Sequence, residues 1–279
     1  MWVGQQLADG LDFWGFLGSM ILGGIILGIY TGLIGYVGAK TGLSLDLLSQ
    51  RAFGEKGSYL PSAMTSFTQI GWFGVGSFVS GGTATPNFAR FAKNGKAGAI
   101  TTVVAFFIGN SLMFFFGAVS SIFVGGNDIF EVMVRLNLFY LAVLVLGLNI
   151  WTTNDNALYT AGLGLANIFH QRKKPMVLLS GIIGTVASVW LYYNFCGWLN
   201  ILNCTLPPVG TILVLAYFMN KEDFETDQPK LKTVDWFAVA GVILGAIVAN
   251  ILHWGIASIN GMVVAAVCYC VGQAVNKRK

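Results

Sequence analysis

The stretch GLNIWTTNDNALYTAGLG, residues 147–164, places amides, hydroxyls and one carboxylate between two apolar runs. Its side chains Asn149, Thr152, Thr153 and Asn156 are spaced i, i+3, i+4 and i+7. This spacing puts them on one face of one helix. An unpaired polar group inside a membrane has a high free-energy cost, so these side chains are expected to have partners or ligands. Two interpretations stay open: these oxygens suit a small hard cation or a polar heterocycle, and they equally suit a polar seam between packed helices.

The overall composition places this stretch in a membrane. Of 279 residues, 55% are hydrophobic and 10% are charged, and mean hydropathy is +0.70. Soluble domains carry about 25% charged residues. The net charge of +4 does not indicate nucleic-acid binding, because the basic residues lie in short loops. Residues 1–6 lack the basic start of a cleavable signal peptide. The four cysteines have no zinc spacing with histidine and are interpreted as packing residues.

Eight apolar segments can be distinguished, each near or above the length that a membrane-spanning helix needs except the last, which is marginal. They are residues 13–38, 59–82, 97–124, 136–169, 176–193, 198–219, 236–253 and 256–271. The sequence therefore predicts an all-α fold, a polytopic bundle of membrane helices in a single domain over residues 1–279. The fourth segment is expected to be interrupted by its polar stretch, and the sixth to end or kink at Pro207 and Pro208. Such interrupted helices are typical of transporters.

Basic loops predict the orientation of the spans. The loops after the fourth, sixth and eighth segments are expected to be cytoplasmic, and those after the third, fifth and seventh to lie outside. The second segment breaks this alternation, because basic residues stand on both of its sides. They are Lys40, Arg51 and Lys56 before it and Arg90, Lys93 and Lys96 after it. A single span cannot have both ends in the cytoplasm, so either residues 59–82 dip in and return or one basic loop is misplaced.

Several long runs resemble the nucleobase:cation symporter-1 family and occur in the family's order. They are residues 28–62, TQIGWFGVG (68–76), SFVSGGTATPNFARFAKN (77–94), GNSLMF (109–114), residues 146–168 and PPVG (207–210). The resemblance implies the inverted-repeat fold with broken helices of sodium-coupled amino-acid transporters. It also implies import of cytosine by symport with a cation, expected to be sodium, through alternating access. The expected protein is a monomer in the bacterial inner membrane that uses no other cofactor.

Two parts of the family pattern are expected to be missing from this sequence. Family members have twelve spans, and Met1 is expected to fall inside the first of them, without its unwound middle. The second gap is expected near Gly76–Ser77, where the middle of the third span is followed by the middle of the sixth. Roughly ninety residues are absent there by comparison with the family. This junction explains the broken alternation, since a half-span leaving the cytoplasm is joined to a half-span returning to it.

The resemblance also implies a set of nucleobase contacts. Gln69 is expected to hydrogen-bond the pyrimidine, while Trp72 and Phe78 stack on its two faces. Ser77 and Ser80 are expected to add polar contacts. An amide suits a base edge, and stacking on a base is worth about 1–3 kcal/mol. The alternatives are an interhelical contact for Gln69, a lipid-facing position for Trp72 and core packing for Phe78. On one straight helix the two rings would point to different sides, so the sandwich requires a bend.

By the same resemblance, Asn149 contacts the nucleobase and shares the sodium site, and Thr152 and Thr153 hold sodium together with nearby carbonyls. The family's remaining sodium ligands are carbonyls of the unwound first span, so the site is expected to be half built. Asp155 stays open between neutralising an ion, pairing with a cation from another span and stabilising a helix end.

Three functions are compatible with these observations. The first is a permease that works by alternating access. The second is an incomplete membrane derivative of such a permease that does not transport. The third is a membrane enzyme, against which stands the lack of any HExxH, GxSxG, Walker or Cys–His pattern in the sequence.

The charge pattern predicts where Lys174 lies. With Lys174→Cys, an impermeant thiol reagent should label position 174 in inside-out vesicles and not in right-side-out vesicles, because the basic loop is cytoplasmic. The unaltered chain controls for its four native cysteines. Labelling of position 174 in right-side-out vesicles would show that the predicted orientation is wrong.

Overall fold

The computed structural model describes residues 11–75, 81–125, 129–226, 229, 231–252 and 254–276. Within these residues the chain forms helices and no strand, which confirms the all-α prediction. The helices are α1 (Phe13–Thr41), α2 (Leu45–Phe53), α3 (Tyr59–Val75), α4 (Gly81–Ala84), α5 (Pro86–Ala89), α6 (Gly95–Val124), α7 (Ile129–Arg135), α8 (Phe139–Phe169), α9 (Lys173–Tyr193), α10 (Phe195–Met219), α11 (Lys221–Glu225), α12 (Trp236–Ile251) and α13 (Ala257–Asn276).

Five of the described helices, α1, α6, α9, α10 and α13, contain stretches that are long and apolar enough to cross a membrane. The apolar helix α12 is shorter. Helix α8 is 31 residues long and is not among the five. Its middle carries the polar residues 149–156, which is where the most apolar part of a span would otherwise lie.

Helix α8 corrects one sequence-based expectation. It runs without a break from Phe139 to Phe169, so the prediction that its polar stretch interrupts the helix is wrong. The hydroxyl of Thr152 donates to the carbonyl oxygens of Leu148 and Asn149, both at 3.1 Å. A threonine can satisfy its donor in this way inside a regular helix, so the polar side chains do not require the backbone to unwind.

Helix α10 decides part of another, because the sequence predicted that this helix either ends or kinks at Pro207 and Pro208. It continues through both prolines, so it does not end there. Side-chain donors bond to carbonyls beside the prolines: Thr211 Oγ1 donates to Pro207 O at 2.9 Å, and Tyr30 OH donates to Leu206 O at 3.3 Å. Neighbouring hydroxyls of this kind are what make proline tolerable inside a membrane helix.

Three groups of helices form the body of the protein. Helix α1 packs along α6, α3 packs against α8 and α9, and α10 packs against α12 and α13. One buried core joins α2, α10, α12 and α13 around Phe53, Tyr217 and Tyr269. A smaller core joins α8, α9 and α10 around Trp198 and Leu202. The segment 59–82 is represented by α3 and α4, and the bend predicted between them falls on residues 76–80, outside the described residues.

The contact between α1 and α5 depends on a glycine. A Cβ added at Gly38 would lie 2.7 Å from Pro86 Cα, which is backbone and cannot rotate away. Gly38→Ala should therefore lower the free energy of unfolding by about 1–3 kcal/mol, as overpacking does.

A thermal melt of the purified protein in detergent measures this effect. Gly23→Ala is the matched control, because Gly23 lies in the same helix with no described atom within 4 Å of its added Cβ. The control should be neutral or slightly stabilising. Equal melting temperatures for the two variants would contradict the close approach of α1 and α5.

Candidate functional site

A cavity of about 880 Å³ lies where α3, α8 and the segment from α4 to α6 meet. Its polar lining comes from all three. The polar lining residues are Gln69, Thr85, Thr101, Thr102, Asn110, Asn149, Thr152, Thr153, Asn156 and Thr160. The volume lies in the range of small-molecule binding sites.

The four polar residues of α8 occupy one face, as their spacing predicts. Asn149, Thr152, Thr153 and Asn156 all line the cavity, and the helix that carries them is regular. Gln69 lines the same cavity from α3 and is 6% exposed. The structure therefore brings together residues that are 80 positions or more apart in the sequence and that the sequence had assigned to one site.

The remaining predicted contacts are not placed by the structure. Trp72 lies in α3, one helical turn after Gln69, but its side chain is outside the described residues. Ser77, Phe78 and Ser80 also lie outside them. Their roles stay predictions.

The oxygens on α8 are accessible from the cavity. Asn149, Thr152 and Asn156 are exposed and Thr153 is half-buried. The Thr152 hydroxyl donates a hydrogen bond to its own helix, which leaves its oxygen lone pairs free to accept a hydrogen bond or bind a cation. This wall of the cavity can therefore offer several neutral oxygens to one ligand.

The segment from α4 to α6 also contributes apolar and aromatic side chains to the cavity. Phe88, Phe91, Phe106 and Met113 are among the lining residues, and the ring of Phe88 lies 6.1 Å from that of Tyr159. A cavity lined by both polar and aromatic side chains suits a flat ligand that has an apolar face and a polar edge.

Sequence reasoning missed five polar residues of the cavity, which are Thr85, Thr101, Thr102, Asn110 and Thr160. Thr160 is 2% exposed, and its Oγ1 is buried without a hydrogen-bond partner among the described residues. It lies eleven residues, three helical turns, after Asn149, so a longer search along the same period would have found it. Asn110 lines the cavity from α6 and lies within the run GNSLMF.

Two neighbouring polar residues of α8 lie outside the cavity lining. Asp155 is exposed and forms no ion pair in the part of the chain that the structure describes. Asn154 is half-buried, and its Oδ1 has no hydrogen-bond partner among those residues. The role of Asp155 therefore stays open between neutralising an ion, pairing with another span and stabilising a helix end. Among the described residues, no cation from another span pairs with it.

Comparison with known proteins identifies similar sequences. A sequence profile for a family described as permease for cytosine/purines, uracil, thiamine, allantoin matches residues 1–84 and 75–275. Cytosine permease of Escherichia coli strain K12 is 36% identical over 372 positions, which cover 100% of this chain and 88% of that protein. The cytosine permease of E. coli strain CFT073 gives the same values. Allantoin permease of Bacillus subtilis is 34% identical over 82 positions, covering 29% of this chain and 16% of that protein.

The lengths and ranges of these alignments concern the internal gap that the sequence predicts near Gly76–Ser77. The alignment with the K12 protein spans 372 positions and this chain has 279 residues, a difference of 93 positions that have no counterpart here. The family profile matches in two stretches that overlap only at residues 75–84.

Proposed function

We propose a transport function for this chain, which belongs to the family of permeases for cytosine/purines, uracil, thiamine and allantoin. The resemblance drawn from the sequence is thereby confirmed, and the proteins of this family are transporters and not enzymes. The chain is a multi-pass membrane protein with several apolar helices. The alternative of a transport-inactive derivative is not favoured by these findings.

Cytosine is the proposed substrate. Support comes from the relatives that align over the whole chain, which are cytosine permeases. The observation that carries the proposal is the shared cavity of Gln69 and the α8 face. Gln69 can donate to and accept from a base edge that shows an amino group beside a ring nitrogen or carbonyl. Trp72 and Phe78 would stack on the ring, with Ser77 and Ser80 as further polar contacts.

Sodium is the proposed coupling ion, bound by Asn149, Thr152 and Thr153. Support comes from the position of these oxygens on the cavity wall and from the preference of hard cations for oxygen ligands. Because Asn149 would contact both ligands, sodium and cytosine would each strengthen the binding of the other. No further cofactor is part of this proposal.

Transport would proceed by alternating access around this site, in a monomer located in the bacterial inner membrane. The chain would form a single domain over residues 1–279, with a junction near Gly76–Ser77. Support for the junction comes from the 93 unmatched positions, from the two stretches of the family match, which meet at residues 75–84, and from the basic loops on both sides of residues 59–82.

Uptake of radiolabelled cytosine into liposomes that contain the purified chain tests this function. Uptake should require an inward sodium gradient, and Thr152→Ala should weaken the sodium dependence more than it weakens cytosine binding without sodium. The physical reason is that the substitution removes a cation ligand and leaves the contacts of Gln69 in place.

Thr185→Ala is the matched control, because Thr185 is exposed on α9 and donates to its own helix at Gly181 O, 2.8 Å away. The control should transport like the unaltered chain. Sodium dependence that is unchanged in Thr152→Ala would remove Thr152 from the ion site, and no uptake by the unaltered chain would contradict the transport function.

A further inference from the structure

The polar face of α8 does not stop at the cavity. Its positions recur with the helical period, and we name them the α8 stripe: Asn149, Thr153, Asn156, Thr160, Gly164 and Asn167. Eighteen residues separate the first from the last, about 27 Å along a helix that rises about 1.5 Å per residue. The stripe therefore leads from the cavity to the end of α8 that the basic loop of residues 170–174 places in the cytoplasm.

Thr160 marks the point where the stripe leaves the cavity. Its hydroxyl is buried, lines the cavity and has no hydrogen-bond partner among the described residues. Burying an unpaired hydroxyl costs free energy, about 1–3 kcal/mol on mutational scales. A ligand or a water molecule that passes Thr160 would offset that cost, so the stripe offers a polar contact at the inner end of the cavity.

Beyond Thr160, helix α3 closes the stripe. A Cβ at Gly164 would lie 2.1 Å from Ser66 Oγ and 2.8 Å from Ser62 O, so the two helices are in close contact there. Ser66 Oγ donates to Ala161 O at 3.1 Å, and Asn167 Nδ2 donates to Ser62 Oγ at 2.9 Å. These bonds are between side chains and a neighbouring helix, so they can part without unfolding either helix.

The closed part of the stripe ends at a buried carboxylate. Asp46, in α2, is 6% exposed and its Oδ1 accepts a hydrogen bond from Ser62 Oγ at 2.6 Å. The same Oδ1 lies 3.5 Å from the position that a Cβ at Gly164 would take, so the carboxylate lies directly at the stripe. Asp46 forms no ion pair within 4.0 Å in the described part of the chain. A buried carboxylate with only partial compensation favours the arrival of a positive charge.

The charges around Asp46 do not supply that compensation in full. Burial raises the pKa of its carboxyl to about 6, while the Ser62 hydrogen bond, its own backbone and the charge of Arg90 act in the opposite direction. Several ionisable groups on the elements around α2 have other hydrogen-bond or ion-pair partners. The pairs are Tyr59 with His170, Tyr217 with Glu225, Glu225 with Lys40, Asp235 with Lys232, Arg90 with Tyr159, and Arg51 with the Asp223 carbonyl.

We propose that the stripe from Thr160 to Asn167 is the route by which the coupling cation leaves the cavity for the cytoplasm, with the Asp46 carboxylate as the last acceptor on that route. This inference rests on the proposed transport function. The ligand is a monovalent cation, either a sodium ion or a proton. In the structure the route is closed by the bonds of α3 to α8, as a route open to one side at a time requires.

Transport by the full chain in liposomes tests the route. Asp46→Asn keeps the shape and the acceptor for Ser62 but removes the charge. It should lower the maximal rate of cytosine uptake about fivefold or more, which corresponds to a rise of about 1 kcal/mol in the barrier to cation release. The affinity for external cytosine should change much less. Thr160→Val, which removes only the hydroxyl, should act in the same direction.

Two controls and two response curves separate this role from a structural one. Glu222→Gln removes an exposed carboxylate of α11, and Thr185→Val removes an exposed hydroxyl of α9, and both should transport normally. Inhibition by sodium inside the liposomes that disappears in Asp46→Asn identifies a sodium ion. Loss of only the response to internal pH identifies a proton. Unchanged rates and unchanged responses in Asp46→Asn and Thr160→Val would overturn the proposal.

A second measurement does not depend on transport. Because the pKa of Asp46 is higher in the folded than in the unfolded chain, protonation favours folding, and this stability is lost as the pH rises through about 6. Lowering the pH through this range, or adding sodium at neutral pH, should raise the melting temperature of the unaltered chain more than that of Asp46→Asn.

Equal responses of the two proteins would contradict a cation site at Asp46, even if the chain transports. Absence of cytosine uptake by the unaltered chain, together with a cation response that depends on Asp46, would contradict the proposed function and leave the cation site supported.

Discussion

The packing of α3 against α8 is the contact on which the rest of the site depends. Gly164 gives Ser66 and Ser62 room to reach α8, and the Ser66 hydroxyl bonds to the Ala161 carbonyl. Because both helices are regular, this contact fixes Gln69 at the edge of the cavity whose other wall is the polar face of α8. One helix pair thus determines both the geometry of the cavity and the closure of its cytoplasmic end.

The arrangement also explains how two ligands can depend on each other. A regular helix presents Asn149 and Thr153 one turn apart, so an amide that contacts a nucleobase and a hydroxyl that binds a cation belong to one rigid element. Coupling of this kind is reciprocal: a cation that orders the α8 face also improves it for the base. In the proposed mechanism the cation then leaves along the same helix, so α8 would serve binding, coupling and release.

Much of this architecture could be predicted from the sequence. Composition and apolar periodicity predicted an all-α membrane protein, and the spacing of Asn149 to Asn156 predicted a shared face. The expected break in α8 was wrong, and of the end or kink expected in α10 at Pro207 and Pro208 the end is excluded. Local hydroxyl donors allow a helix to continue where propensity alone indicates a stop. Thr160 continues the period of the α8 face beyond Asn156 and could have been found from the sequence. Asp46 could not, because its importance depends on burial and on contacts between distant segments, which periodicity does not report.

Isothermal titration of the purified chain with cytosine, first in sodium and then in potassium, tests the central claim most directly, namely that the α8 face binds a nucleobase and a cation together. We expect binding in sodium and much weaker binding in potassium, since the larger ion does not fit the same oxygens equally well. Equal affinity in both salts, or no binding in either, would contradict the account.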